Sequence, residues 1–124
     1  MVGAVIMGEQ WNIIFYETET GVSPVKDFIS EIKDRKLQSK ILQEIGLLKS
    51  LGNKLAGSHT KYIDEGIWEL RIKQSSNICR ILYFYYIGNN IILTNGFVKK
   101  TARAPKGEIK KAKKYKDNYL KRRA

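Results

Sequence analysis

The chain has 124 residues, 43% of them hydrophobic, and a formal net charge of +11. That length fits one domain, and that apolar fraction can bury a real core, which argues against wholesale disorder. One cysteine excludes an internal disulfide, the lone histidine leaves no Cys/His set for zinc, and no apolar run is long enough for a bilayer span.

The placement of the charge matters more than its size. Residues 99–124 carry 12 Lys/Arg against 2 Asp/Glu, whereas residues 1–98 carry 11 against 10. An excess gathered in the last fifth of the chain points to a polyanionic partner, RNA or DNA before membrane. The plainer reading is a solvated lysine-rich helix face that serves solubility. The opening Met1 to Met7 lacks the basic stretch of a secretory signal, so a cytoplasmic home is expected.

Residues 1–10 read as a flexible lead-in and residues 11–124 as a single domain. Trp11 to Tyr16 is rich in β-formers and reads as a first strand. Ser23-Pro24 starts a helix, with serine as N-cap and proline at the first helical position. Val25, Phe28, Ile29 and Ile32 form one apolar stripe at helical spacing. After the polar run Lys33 to Lys36, a second stripe follows through Leu37, Ile41, Ile45 and Leu48, and Gly52-Asn53 stops it. Both stripes are read as core.

Lys54 to Thr60 is a loop that holds His59, a general-base candidate whose plainer reading is an exposed loop histidine. Three strands are expected next: Lys61 to Lys73 with a break at Asp64-Glu65, Ile78 to Ile87, and Ile91 to Val98. The links between them are short, so the strands form an antiparallel meander. The expected fold is α+β, with helices on one face of this sheet. A basic helix follows over 105–123, where Ile109, Ala112, Tyr119 and Leu120 make a weak stripe among Lys110, Lys111, Lys113, Lys114 and Lys116. Such a helix stays partly mobile unless its stripe finds a dock.

The chemistry gathers on the three strands. Trp68, Leu70 and Ile72 share one face of their strand and should meet the helices, so Glu69, Arg71 and Lys73 point the other way. Arg80 lies amid Ile78, Cys79, Ile81 and Leu82, where it cannot sit unpaired. Its partner is either a carboxylate, with Glu69 nearest, or a phosphate. Cys79 is read as a small buried hydrophobe. Lys99-Lys100 ends the third strand, and Tyr83, Tyr85 and Phe97 lie close enough to offer stacking surfaces for bases.

Without clustered carboxylates, a Gly-rich phosphate loop or a Ser/His/Asp set, such a site suits RNA cleavage by the RNA's own 2′-hydroxyl. Arginines would stabilise the phosphorane, and a lysine among cations can titrate low enough to move a proton. Glu69 or His59 would be the general base. No metal or cofactor is called for.

At these residues the chain resembles the RelE-like superfamily of bacterial toxins, and within it the phage-derived HigB-type branch. The resemblance rests on Gly66-Ile67-Trp68-Glu69-Leu70-Arg71, then Arg80-Ile81-Leu82-Tyr83-Phe84, then Gly96-Phe97-Val98-Lys99-Lys100-Thr101 followed by Pro105. It implies a compact α+β endoribonuclease that cuts mRNA, commonly on the ribosome, and a cognate antitoxin, usually a helix-turn-helix protein. Carried over by position, Arg71, Arg80, Lys99 and Lys100 become active-site cations with Phe97 beside them. Lys73, Tyr83, Lys110, Lys113 and Lys114 are expected to hold RNA. The branch often has a histidine just before the Gly-Phe-x-Lys-Lys element. Here that position is Asn95, and an amide cannot be a general base. The alternative is a non-catalytic RNA-binding module or an inactive toxin relative. A third reading is an interaction protein whose basic C-terminal helix docks on an acidic partner.

Overall fold

The computed structural model describes residues 10–99 and 105–124. Its elements in chain order are β1 (Asn12–Phe15), α1 (Pro24–Ser30), α2 (Arg35–Leu51), β2 (Thr60–Asp64), β3 (Ile67–Gln74), β4 (Asn77–Tyr86), β5 (Asn90–Val98) and α3 (Lys106–Lys121). The α+β class holds, but the three-stranded meander becomes a five-stranded mixed sheet in the order β1-β5-β4-β3-β2. Two strands account for the difference. β1 pairs parallel with β5, placing Asn12 against Asn90 and Phe15 against Leu93. The break expected at Asp64-Glu65 is a full reversal. Glu65 and Gly66 both adopt positive φ (48° and 82°), which suits a tight hairpin, and β2 returns antiparallel along β3.

Helix ends follow local chemistry, with one surprise. Asp34, inside the polar run, caps α2 by accepting from the backbone of Lys36 and Leu37 at 2.9 and 3.3 Å. Ser23 stands at the N-cap position of α1 but makes no cap bond, and its buried hydroxyl has no hydrogen-bond partner among the described residues. Pro24 at the first helical position sets the start of α1 through its fixed φ. Gly52 ends α2 at φ 51°, with the Trp11 indole packed where a β-carbon would be.

The helices do not share one sheet face. Leu37, Ile41, Ile45 and Leu48 of α2 and Val25 of α1 pack with Leu70, Ile72, Cys79, Ile81, Tyr83, Ile91 and Leu93. On the opposite face Ala112 and Tyr119 of α3 pack with Ile67, Leu82, Phe84, Ile92 and Phe97. The sheet is therefore sandwiched. The stripe of α3 has its dock, and Tyr115 stacks on Tyr16 at 4.7 Å between ring centres. Lys113 and Lys116 latch the helix to the β2–β3 turn. Lys113 pairs with Asp64 at 2.8 Å and Glu65 at 2.9 Å, and Lys116 donates to the Glu65 carbonyl at 2.7 Å. Among the described residues no helix is long and apolar enough to cross a membrane.

Candidate nucleic-acid interface

Residues directly opposite each other in paired strands share a sheet face. Arg71 faces Arg80, and Arg80 faces Phe97, so these three form one row across β3, β4 and β5. The adjoining row is Lys61, Glu69, Leu82 and Asn95. Lys73 stands opposite Ile78, whose carbonyl accepts from the Lys99 backbone at 2.8 Å. All of this lies on the α3 side of the sheet, and α3 packs on its Leu82, Asn95 and Phe97 end.

A bulge aims the β5 end of the row. Leu82 pairs with Asn95 but Tyr83 pairs with Leu93, which leaves Thr94 as an extra residue. Simple alternation from Ile92 would put Thr94, Gly96 and Val98 on the α3 side. The extra residue shifts the phase, so that Asn95, Phe97 and Lys99 take that side instead. Thr94 secures the bulge by donating to the Leu82 carbonyl at 3.1 Å. Gly96 then faces α1, where Phe28 occupies the space a β-carbon would need.

Two guanidiniums set directly opposite each other repel unless a counter-charge intervenes. Glu69 supplies it. Its side chain is 3% exposed, and a single oxygen, Oε2, lies 3.4 Å from Arg80 Nε and 3.5 Å from Arg71 Nε. Arg80 is buried and donates from Nη1 to its neighbour's carbonyl, Cys79 O, at 3.0 Å. Its Nε has ionic contact with Glu69 but no hydrogen bond among the described residues. Burial pushes the Arg80 guanidinium below its ordinary value, Glu69 opposes that, and Arg71 adds to it; an arginine stays charged all the same. Lys99 is also held below the ordinary lysine value, first by partial burial and then by Arg80, with Glu69 opposing and Arg71 and Lys61 adding. Lys99 is thus within the electrostatic reach of both arginines.

The structure sorts the other expected residues. Lys73, Lys110 and Lys114 are exposed. Tyr83 is fully buried in the core against α2, on the face away from the cations, so it offers no stacking surface. Phe97 faces the cations but is 8% exposed, so it serves as the floor of the row more than as a stacking platform. Lys113 is held by two carboxylates, which raise it to about 12, and its ammonium is spent on that clamp. The His59 ring bonds Glu44 of α2 at 2.6 Å, and only its backbone carbonyl meets the row, accepting from Arg71 N–H at 2.7 Å. Asn95 is buried and structural: its amide donates to the Glu108 carbonyl at 3.1 Å and carboxylate at 3.0 Å, fixing the first turn of α3 to β5. Lys100 lies outside the described residues.

Lys61 belongs to this face and was missed in the sequence. Its signal was present, since alternation back from the hairpin puts it opposite Glu69, but only once Glu65-Gly66 is read as a turn. Among the described residues no three His, Cys, Asp or Glu side chains cluster as ligands for a metal would.

No curated protein matches the chain. A family model does: "Phage derived protein Gp49-like (DUF891)" aligns with residues 27–117, which runs from the first turn of α1 almost to the end of α3 and includes the whole cation row. Since that alignment covers well over half of the sequence, the chain belongs to the phage-derived Gp49-like family, a family of toxin-like proteins.

Proposed function

We propose that the protein is the toxin of a toxin–antitoxin pair, of the HigB-type branch of the RelE-like superfamily, and that it cuts mRNA on the translating ribosome. The observation that carries this reading is the Arg71–Arg80 pair, bridged by one oxygen of buried Glu69, with Lys99 within its electrostatic reach. A phosphodiester offers the same two guanidiniums more acceptor oxygens than that single carboxylate atom can, in the bidentate geometry arginine favours.

The reaction is an internal transesterification. The 2′-oxygen attacks the adjacent phosphorus, the bond from phosphorus to the 5′-oxygen breaks, and the products are a 2′,3′-cyclic phosphate and a 5′-hydroxyl. Arg80 and Arg71 stabilise the extra charge on the phosphorane. Lys99, already below the ordinary lysine range, donates a proton to the departing 5′-oxygen. Lys61, Lys73, Lys110 and Lys114 hold the flanking strand by its phosphates. The partner that silences the toxin is a cognate helix-turn-helix antitoxin.

Expressed alone in bacteria, the wild-type chain should stop growth and cleave mRNA, and Arg80→Ala or Lys99→Ala should do neither. A harmless wild-type chain that leaves mRNA uncut even with ribosomes overturns the endoribonuclease. Salt-sensitive RNA binding without cutting would then identify a non-catalytic RNA-binding module.

A further inference from the structure

Glu69 is fixed in place by its strand. It lies within β3, which is paired on both sides, opposite Lys61 of β2 and Leu82 of β4. Its side chain is 3% exposed, and Oε2 alone faces both guanidiniums, 3.4 Å from Arg80 Nε and 3.5 Å from Arg71 Nε. The two arginines are not held alike. Arg80 is 7% exposed and also donates to the Cys79 carbonyl, whereas Arg71 is 36% exposed. Solvent screens the Arg71 pair, so that guanidinium exchanges one anionic partner for another at little cost. The buried Arg80 pair is far costlier to break.

The charge around Glu69 is lopsided. Lys61 comes from β2, Arg71 from β3, Arg80 from β4 and Lys99 from the end of β5, with Lys73 further along β3 opposite Ile78. The α3 carboxylate of Glu108 is engaged by Asn95 and Lys111 instead. Arg80, Arg71 and Lys61 each favour loss of the Lys99 proton, and Glu69 favours its retention. One carboxylate therefore does two things. It fills, with a single oxygen, a place between two guanidiniums that suits a phosphate oxygen. It also holds the neighbouring lysine in its charged form.

Resting on the endoribonuclease reading above, we propose that Glu69 is a positioning residue that takes the place of the phosphate in the free protein and yields Arg71 to it when RNA binds. Arg71 turns from Glu69 to a phosphate oxygen. Arg80 keeps Glu69 and the Cys79 carbonyl and meets the phosphate with its other N–H groups. Arg71 is thus the exchanging contact and Arg80 the fixed one. Glu69 stays beside Arg80, so Lys99 keeps its proton until the 5′-oxygen departs.

A single-stranded oligonucleotide of 2′-deoxyribose cannot be cut by this reaction, so it reads binding apart from cutting. Glu69→Gln frees one cationic charge for the strand. This variant should bind the probe more tightly than wild type, and the fall of log K with log salt should steepen by about 0.7. In a ribosome-bound mRNA assay it should cut about 10²-fold more slowly. The alkaline limb of its rate profile, where Lys99 loses its proton, should move to lower pH. Glu69→Asp, which keeps the charge, should return the salt slope and the limb towards wild type. A merely structural Glu69 would move neither. Should Glu69→Gln not fold, wild type carries the test: the probe should shift the Arg71 Nε–H signal, identified by its loss in Arg71→Lys. Wild-type affinity, slope and limb in folded Glu69→Gln, or an Arg71 signal unmoved at saturation, overturns the exchange and leaves the endoribonuclease standing. Absence of cutting by wild type overturns the endoribonuclease, and binding of the probe still decides the exchange.

Discussion

Arg71 and Arg80 stand opposite each other with a single carboxylate oxygen between them, and they should not respond alike to mutation. Arg80 is buried whereas the Arg71 side chain is 36% exposed, so solvent screens Arg71's share of the ion pair. Removing the buried partner should destabilise by up to about 3–5 kcal/mol, eased here because Arg71 still faces Glu69. Arg71→Ala should cost no more than about 1 kcal/mol. Urea titrations of the two variants check this order, and equal losses would contradict it. Cys79 gives a second test. Burial raises its thiol from 9.0 to about 11, with Arg80 opposing. The native state therefore holds a proton that the unfolded chain releases. This stabilisation is complete below pH 9 and is lost as pH climbs towards 11. Stability of wild type should fall more steeply over that window than that of Cys79→Ala, and the native thiol should resist thiol reagents until the chain unfolds. The arginine's need for a partner was legible in the sequence, because a cation in an apolar run demands one. The role of Asn95 was not, since its partners Glu108 and Thr94 meet it only after α3 docks and β5 bulges.

At the scale of elements, the bulge at Thr94 and the docking of α3 decide what the candidate face contains. Alternation is legible only while a strand keeps step, and β5 loses step in the middle. That is why the orientation of Lys99 could not be read from the sequence. Gly96 sits just past the bulge, where an added β-carbon would lie 2.6 Å from Phe28 Cδ2. Gly96→Ala should therefore destabilise by about 1–3 kcal/mol, as overpacking does. An unchanged melting temperature would contradict the close approach of α1 to β5. Tyr119 is the large buried anchor of α3 and packs edge-to-face on Phe84 and Tyr86. Tyr119→Ala should cost about 3–5 kcal/mol, the usual range for a buried aromatic. Helix periodicity showed the α3 stripe, but the stripe does not say which sheet face receives it. The lysines that looked like a solvated face divide by contact instead. Lys113 and Lys116 latch the β2–β3 turn, whereas Lys110 and Lys114 remain exposed.

For the whole molecule, the strongly basic end of the chain is not an appended tail. α3 covers Ile67, Leu82, Phe84 and Ile92, so deleting residues 105–124 should expose a hydrophobic face and yield aggregated or partly unfolded protein. A deletion variant that stays monomeric with an unchanged melting temperature would contradict the sandwich. The asymmetric charge, the α+β order and the two helical stripes were all legible beforehand, because each is written in local composition and spacing. The parallel pairing of β1 with β5 and the second covered face were not, because both depend on contacts between residues far apart in the chain. In the proposed function, Arg71, Arg80 and the neighbouring Lys99 cut RNA through the RNA's own 2′-hydroxyl. The most direct test maps the ends of mRNA cut on translating ribosomes by the purified chain. Wild type should leave 5′-hydroxyl and 2′,3′-cyclic phosphate termini, and Arg80→Ala should leave the mRNA intact. Termini bearing 5′-phosphate, or undiminished cutting by folded Arg80→Ala, would contradict it.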